Sequence, residues 1–539
     1  MGAGTVSRVA RDAGTVAVIT AVARIVGFLR WIVFAWAVGA TGVGTVYQSV
    51  NTVPNIVYEI AAGGILAAVV VPLVAARIGA GTDEGPHDVA SALLTRTLAA
   101  LVPLAVLLAV TAPLISRALL ADLHVEGAVE LGTRLLVLFS PQVVLYGVGI
   151  VVSGVLQAHR RFLAAAVAPL LSSLVVMATY VLWSRMVPAG TVPAEVGVTQ
   201  WVVLGGGTTL GVLALSAPLL VAAATAGIRL RPRWRLAPET AARARTLAGA
   251  GVVALIAQQA MVVVTLAVAN RSGGDGALVV QNYVQALYLL PYAVLAVPLA
   301  TAAFPVLAAS AAGTPAQQQS ATATLAASLR AVVVLSSAAA AGMIAAAGPI
   351  GATFAAIDRD GEGSAALDAM PAALIAMVPG LVAFAGAAVA LRALYARGDA
   401  MRAGLVMAAG WVVAALIPLL VLGPQDGARR TLVVLGLAST LGMCTAGLGL
   451  LVRVRRDWGA PPLQGLPAAA ALAGAALAAG AGVHLLARGH WPGSESGDVA
   501  VGAFVALCTA GAVLGAGLWF DPGLRSRVPL LRGRTTKGG

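Results

Sequence analysis

The sequence predicts an all-α polytopic membrane protein with about 14 transmembrane helices. Of its 539 residues, 60% are hydrophobic and only 10% are charged, whereas soluble domains carry about 25% charged residues. The apolar stretches are continuous rather than alternating, which argues against a membrane β-barrel. Most of them reach the roughly 20 residues that a helix needs to cross a bilayer. Composition and the length of these stretches therefore determine the predicted fold class.

Hydropathy divides the chain into apolar stretches separated by short loops. The predicted spans are 13–39, 43–76, 91–115, 131–157, 162–184, 200–227, 247–270, 276–310, 321–347, 368–395, 400–422, 431–452, 467–487 and 499–519.

Arginine and lysine residues are distributed unevenly between alternate loops. If the N-terminus is cytoplasmic, the cytoplasmic segments hold about three times as many of these residues as the outside loops. This bias predicts an even number of spans, both termini in the cytoplasm and a location in the cell inner (cytoplasmic) membrane. It also explains the net charge of +13 without nucleic acid as a partner.

The long basic loop 228–246 predicts a boundary between two six-helix lobes around a central cavity. Two hydrophobic hairpins with arginine-rich turns, at 156–171 and 391–407, occupy equivalent places in the two halves. Related halves around a site near the middle of the membrane are common in transporters. The predicted divisions are an N-lobe at 1–235, a C-lobe at 236–455, two C-terminal helices at 456–520 and a basic cytoplasmic tail at 521–539.

The first span carries Arg24 and Arg30 near its middle. Arg30 is expected only about 1–2 Å from the membrane midplane, too deep to extend its charge to the headgroups. Each arginine facing lipid there would cost about 2.5–3.5 kcal/mol. We therefore expect the pair to face a water-filled cavity that receives an anion. The alternative is a displaced span, with the arginines among headgroups or paired to a carboxylate.

The second and eighth predicted spans are too long for a straight crossing and contain prolines, which points to irregular helices beside a transport site. On the second span, Asn51, Asn55 and Tyr58 share one helix face, and Glu59 extends it. Gln285 is the polar candidate on the eighth span. Each of these residues also has a purely structural interpretation. The amide side chains could serve interhelical hydrogen bonding, and Tyr58 could serve core packing.

The sequence contains no constellation that predicts an enzyme. The histidines have no metal-ligand spacing and no phosphate-binding loop is present, so we expect neither catalysis nor a metal or other cofactor.

Several passages resemble the MurJ/MviN family, the lipid II flippases of the multidrug/oligosaccharidyl-lipid/polysaccharide exporter superfamily. They are ARIVGFLR (23–30), NTVPNIVYEIAAGGILAAVVVPLVA (51–75), LPYAVLAVPLATAAFPVLA (290–308) and LYARGDA (394–400). The second passage is especially similar to actinobacterial members. The resemblance implies two lobes in a V around a cationic cavity, with alternating access, and it maps the two arginines of the family's first helix onto Arg24 and Arg30. It also places Tyr58, Ala286 and Thr45 where relatives carry two arginines and an acidic residue.

The predicted function is a flippase that moves lipid II, a lipid-linked peptidoglycan precursor, from the inner to the outer leaflet. The expected partners are lipid II or a related undecaprenyl-diphosphate-linked substrate, membrane lipids and cell-wall synthesis proteins. The alternatives are an exporter of another polyprenyl-linked polysaccharide or small molecule, and a non-transporting cell-wall scaffold.

Overall fold

The computed structural model describes residues 3–60, 67–78, 85–310, 313–360, 364–487 and 495–520. All regular secondary structure in these ranges is helical. Among them, 13 helices are long and apolar enough to cross a membrane. These 13 helices correspond to all of the predicted spans except the second. The predicted fold class, a polytopic helical membrane protein with about 14 spans, is therefore confirmed.

The chain forms two compact units. The first comprises Met1–Val279 and Ile357–Glu362, and the second comprises Val280–Ala356 and Gly363–Gly539. The helices up to the boundary are α1 (Ala3–Ala37), α2 (Val43–Ile60), α3 (Ala67–Ala75), α4 (Pro86–Leu120), α5 (Ala128–Ala158), α6 (Phe162–Met186), α7 (Val198–Thr225) and α8 (Pro238–Val268). The remaining helices are α9 (Ala277–Pro291), α10 (Val297–Ala309), α11 (Pro315–Ala345), α12 (Ala347–Ile357), α13 (Ala365–Asp368), α14 (Met370–Met377), α15 (Gly380–Ala396), α16 (Ala400–Val421), α17 (Ala428–Trp458), α18 (Leu466–Ala487) and α19 (Glu495–Phe520).

The division between the units differs from the boundary expected after residue 235. Helix α8 groups with the first unit because it packs on α2 and α3. The six-plus-six lobe arrangement and the central cavity stay predictions.

The second predicted span corresponds to α2 and α3, which lie on either side of residues 61–66. Pro54 lies inside α2, and Gly63 and Gly64 fall outside the described residues. The eighth predicted span contains an irregularity next to a proline, as its sequence indicated. Helix α9 ends at Pro291, a π-helical turn follows at Tyr292–Ala296, and α10 continues the segment.

The tenth predicted span is broken as well, which its hydropathy did not reveal. Helix α14 ends at Met377 and α15 begins at Gly380, with Pro379 between them. Thr440 of α17 donates to the carbonyls of Ala376 and Met377, at 2.8 and 3.0 Å, and accepts from the N–H of Gly380 at 3.2 Å. A neighbouring hydroxyl thus satisfies the backbone groups that the break leaves free, as a broken membrane helix requires.

Two C-terminal helices, α18 and α19, pack on α11 in the second unit. Small residues form this interface: Ala338 and Ala341 of α11 cluster with Ala476 of α18 and Val513 of α19. A Cβ added at Gly480 would lie 2.5 Å from the carbonyl oxygen of Ala341. Close backbone approach through small residues is how membrane helices gain contact area without a hydrophobic driving force.

Replacing Gly480 with leucine is therefore expected to push α18 away from α11 and to cost roughly 1–3 kcal/mol of stability. Gly482→Leu is the matched control, since it lies on the same helix and a Cβ there meets nothing within 4 Å. Thermal unfolding in detergent measures the difference. Equal midpoints for the two variants would contradict the close contact between α11 and α18.

Candidate binding site on the first two helices

Arg24 and Arg30 lie within the membrane-spanning part of α1, Val18–Ala37. At 1.5 Å per residue they are about 5 and 4 Å from the centre of that stretch. Arg24 is exposed and Arg30 is half-buried. Neither guanidinium is hydrogen-bonded or ion-paired to another residue in the described part of the chain. The alternative of an ion pair with a carboxylate is therefore not found for either arginine among the described residues, and the water-filled cavity stays a prediction.

The polar face predicted on α2 is partly assembled by a residue of α5. The hydroxyl of Tyr146 donates to the Asn55 side-chain oxygen at 3.0 Å. The rings of Tyr58 and Tyr146 have their centroids 4.4 Å apart. Asn51 is half-buried on the same helix, and its side chain has no hydrogen bond to any other described residue. Asn55 and Tyr58 thus form one polar surface together with Tyr146.

The charges of α1 act on this surface of α2 and α5. Glu59 is exposed and lies within electrostatic range of Arg24, although the two do not form an ion pair at contact distance. Arg30 is close enough to influence the hydroxyl of Tyr146. In the first unit, the two arginines of α1 are therefore close enough to Glu59 and to the polar side chains of α2 and α5 to interact with them electrostatically.

An aromatic cluster next to Arg30 positions these helices. The Tyr47 hydroxyl lies 3.0 Å from that of Tyr180 and 2.9 Å from that of Thr208, so α2 is joined to α6 and α7. Phe34 of α1 packs against Tyr47 and Tyr180, with centroid separations of 5.6 and 5.2 Å. Tyr47 is completely buried. Because the rings are bulky and hydrogen-bonded, they limit sliding between α1 and α2 at this level.

Six of the seven predicted site residues lie on α1 and α2 of the first unit: Arg24, Arg30, Asn51, Asn55, Tyr58 and Glu59. The seventh, Gln285, is half-buried on α9 in the second unit. Their assignment as a substrate site stays a prediction.

The turn between α1 and α2 is built around a carboxylate that sequence reasoning missed. The Gly42 N–H donates to both oxygens of Asp275, at 3.0 and 2.9 Å. The Thr45 hydroxyl lies 2.6 Å from Asp275 Oδ1 and accepts from the N–H of Gly276. A carboxylate therefore lies beside Thr45, the position where the family resemblance places an acidic side chain.

Residues 358–360, which follow α12, contact the end of α1 within the first unit. Arg359 donates from Nη1 to the Ala37 carbonyl at 2.9 Å and from Nη2 to the carbonyls of Ser184 and Val187. It thereby neutralises the C-terminal ends of both α1 and α6, where cations are favoured. Asp358 accepts from the N–H of Ala40.

Asp360 completes these contacts by accepting from the N–H of Gly190 at 2.7 Å. Burial raises the pKa of the Asp360 carboxyl, although this N–H and the Arg359 charge oppose the shift. Gly39 leaves room for Asp360, because its φ is +92° and an added Cβ would lie 2.6 Å from the Asp360 carboxylate. Both terminal turns of α1 and α6 are therefore fixed by a segment more than 150 positions further along the chain.

Sequence reasoning missed Tyr146, Asp275 and Arg359. Tyr146 is a polar side chain in the fourth apolar span, and this was the available signal. Asp275 lies in the glycine-rich sequence GGDG, but nothing in that pattern indicates which helix end it contacts.

Comparison with known proteins matches most of the chain, beginning near the end of α1 and after Arg24 and Arg30. The family model described as "Lipid II flippase MurJ" matches residues 34–497. The chain belongs to the MurJ family. A probable lipid II flippase MurJ from Rhizobium tropici is 27% identical over 289 residues. That match covers 53% of this chain and 52% of the relative, so the aligned part spans about half of the relative's length.

The fold of the MurJ family is also found by structural comparison. A structure titled "Lipid II flippase MurJ, inward closed conformation" matches with a TM-score of 0.72 at 15% identity, covering 95% of this chain and 100% of that one. An inward-facing multidrug resistance MATE family transporter of the MOP superfamily matches with a TM-score of 0.63 at 15% identity, covering 82% and 96%. At this identity the two matches establish the fold alone.

Replacing Asp275 with asparagine is expected to destabilise the turn between α1 and α2 by roughly 1–3 kcal/mol, because hydrogen bonds to a charged acceptor are the stronger ones. Asp122→Asn is the control, since Asp122 is an exposed carboxylate on the 3₁₀ turn Ala121–Leu123. Thermal unfolding of the two purified variants measures the effect. If Asp275→Asn and Asp122→Asn lowered the unfolding midpoint equally, the loss would not be specific to Asp275, and its role in the turn would be contradicted.

Proposed function

We propose that this protein is a flippase that moves lipid II from the inner to the outer leaflet of the cytoplasmic membrane by alternating access. The observation that carries the proposal is the pair Arg24 and Arg30, placed deep in α1 without a counter-ion at contact distance among the described residues. Membership of the MurJ family supports the same activity. Both termini are assigned to the cytoplasm by the distribution of arginine between loops.

A diphosphate is the substrate group that best matches the two guanidinium groups. The planar fork of arginine donates two parallel hydrogen bonds to phosphate oxygens. An isolated cation in the membrane costs several kcal/mol, and a dianionic headgroup that enters beside it offsets that cost. The polyprenyl chain of such a substrate remains in lipid while its headgroup crosses.

Glu59 is assigned the counter-charge of the substrate-free protein. It lies within electrostatic range of Arg24 but is not bonded to it. A loosely associated carboxylate lowers the cost of the two arginines without competing strongly against a diphosphate. Asn51, Asn55, Tyr58 and Gln285 are assigned to hydrogen bonding with the polar headgroup. The mechanism includes no covalent step, so the protein is a transporter and not an enzyme.

The alternative functions have less support. A small hydrophobic cation, the usual substrate of multidrug exporters, would be repelled by Arg24 and Arg30. A scaffold without transport activity gives no reason for cations in the middle of a membrane helix. The absence of arginine at Tyr58 and Ala286 remains a difference from the relatives, and α1 would carry a larger share of anion recognition as a result.

Depletion of the protein in its host is expected to stop lipid II from reaching the outer leaflet. The measurement is a leaflet-specific lipid II assay in cells without a redundant flippase. Lipid II would accumulate in the inner leaflet, and cell-wall synthesis would fail. If lipid II still reached the outer leaflet at the normal rate after depletion, the proposed activity would be refuted.

Arg30→Ala is expected to abolish growth complementation, because it removes one of the two cations that would hold the diphosphate. Arg117→Ala is the control: Arg117 is exposed in the last turn of α4. Immunoblots of membranes establish that both variants are made and inserted. Arg30→Lys is expected to restore growth only in part, since lysine keeps the charge but loses the planar fork. Equal growth of the Arg30→Ala and Arg117→Ala strains would count against the site.

A further inference from the structure

A cavity of about 550 Å³ lies in the first unit between the start of α4 and the chain that joins α7 to α8. Four arginines line it, Arg229, Arg231, Arg233 and Arg235, together with Trp234 and His87. None of these residues belongs to the site proposed for substrate transport. We call residues 228–237 the arginine segment.

The arginine segment is extended because of its alternating sequence. Residues 228–237 have no helical structure, and Pro232 favours an extended residue before it. Alternate side chains of an extended chain point to opposite sides. Ile228, Leu230 and Leu236 pack into the apolar core of the first unit, whereas Pro232 and Trp234, at the alternate positions between them, are exposed and line the cavity. The intervening arginines are directed away from that core.

Hydrogen bonds from α4 fix the arginine segment in place. The N–H of Arg231 donates to Ser91 Oγ at 3.1 Å, and the N–H of Arg233 donates to Thr95 Oγ1 at 3.0 Å. Ser91 and Thr95 are four residues apart, so they lie on one face of α4. Arg96 of the same helix donates to the Trp234 carbonyl at 3.2 and 3.3 Å. The cavity is therefore formed before any ligand arrives.

The charge of the cavity is strongly positive. Arg233 is ion-paired with Asp88, the acidic residue of the lining. The other three arginines, Arg229, Arg231 and Arg235, are exposed, and their side chains have no hydrogen bond or ion pair to any other described residue. Three guanidinium groups that are unpaired among the described residues and carried by a fixed backbone are suited to a phosphate-bearing anion.

The position of the cavity identifies the source of that anion. It lies on the side of the membrane where the membrane-spanning helix α4 begins and the membrane-spanning helix α7 ends. The distribution of arginine predicts that this side is cytoplasmic, the side on which anionic lipids attract basic segments. Trp234 is 63% exposed, and tryptophan is enriched at the level of lipid headgroups.

We propose that the cavity beside the arginine segment is a binding site for the phosphodiester headgroup of an anionic phospholipid of the cytoplasmic leaflet. Arg229, Arg231 and Arg235 contact the phosphate, and the Trp234 ring lies against the glycerol and upper acyl region.

Replacing Arg229, Arg231 and Arg235 together with glutamine tests the site. Native mass spectrometry of the purified full-length protein measures binding of phosphatidylglycerol and of phosphatidylcholine with the same acyl chains. The unmodified protein is expected to prefer phosphatidylglycerol. Each arginine near an anionic lipid contributes about a fivefold gain in affinity, so the triple variant should bind phosphatidylglycerol about a hundredfold more weakly.

The matched control removes three exposed arginines elsewhere on the same predicted side: Arg402, Arg455 and Arg456 to glutamine. It changes the net charge equally but leaves the cavity intact, and it should bind phosphatidylglycerol as the unmodified protein does. Equal loss in both triple variants would overturn the proposal, because the effect would then depend on net charge alone. Undiminished phosphatidylglycerol binding by the Arg229, Arg231 and Arg235 variant would also overturn it.

The unmodified protein provides a test that does not depend on the folding of a variant. Its preference for phosphatidylglycerol over phosphatidylcholine should fall as salt is raised, since exposed charges are screened. Inorganic phosphate and an RNA oligonucleotide serve as soluble competitors, and neither should displace the lipid at concentrations equal to it. Displacement by either competitor, or equal binding of both lipids, would contradict a phospholipid site. These outcomes do not depend on whether the protein transports lipid II.

Discussion

The energetic cost of charge inside a membrane is the constraint on which the first unit depends. Arg24 and Arg30 lie within a few residues of the centre of the membrane-spanning stretch Val18–Ala37, whose other residues are almost all apolar. Such a helix is tolerable only if its cationic side meets water, counter-charge or polar side chains. The neighbouring surface of α2 and α5, with Glu59, Tyr58 and Tyr146, offers the last two of these.

Rigid contacts near the end of α1 accompany this charged stretch. The aromatic cluster of Phe34, Tyr47 and Tyr180 fixes α1 relative to α2 and α6. Asp275 and Arg359 then bind the backbone groups that the ends of the helices leave without partners. Orphaned carbonyl and N–H groups are costly where water is scarce. The ends of helices in the first unit are therefore held by charged side chains from distant parts of the chain.

Much of the fold could be predicted because a bilayer limits the possibilities. Only helices or closed barrels satisfy their backbone groups in lipid, and helices need about 20 apolar residues to cross. Thirteen of the predicted spans accordingly appear as candidate membrane helices. Pro379 marks the break in the tenth span, but the hydroxyl of Thr440 that satisfies the freed backbone groups lies on another helix and could not be predicted. The grouping of α8 with the first unit likewise depends on packing rather than hydropathy.

The sequence by itself determined that this is a helical membrane protein and that its first helix carries two arginines near the middle of its membrane-spanning stretch. It also determined that its motifs resemble those of the MurJ family. These features are local: they depend on hydropathy, residue type and spacing along one helix. Only the tertiary structure decided that Tyr146 joins the α2 face, that Asp275 lies beside Thr45 and that Arg359 holds the ends of α1 and α6. Each of these contacts joins residues far apart in the chain, and no local pattern encodes which distant side chain fills a given position.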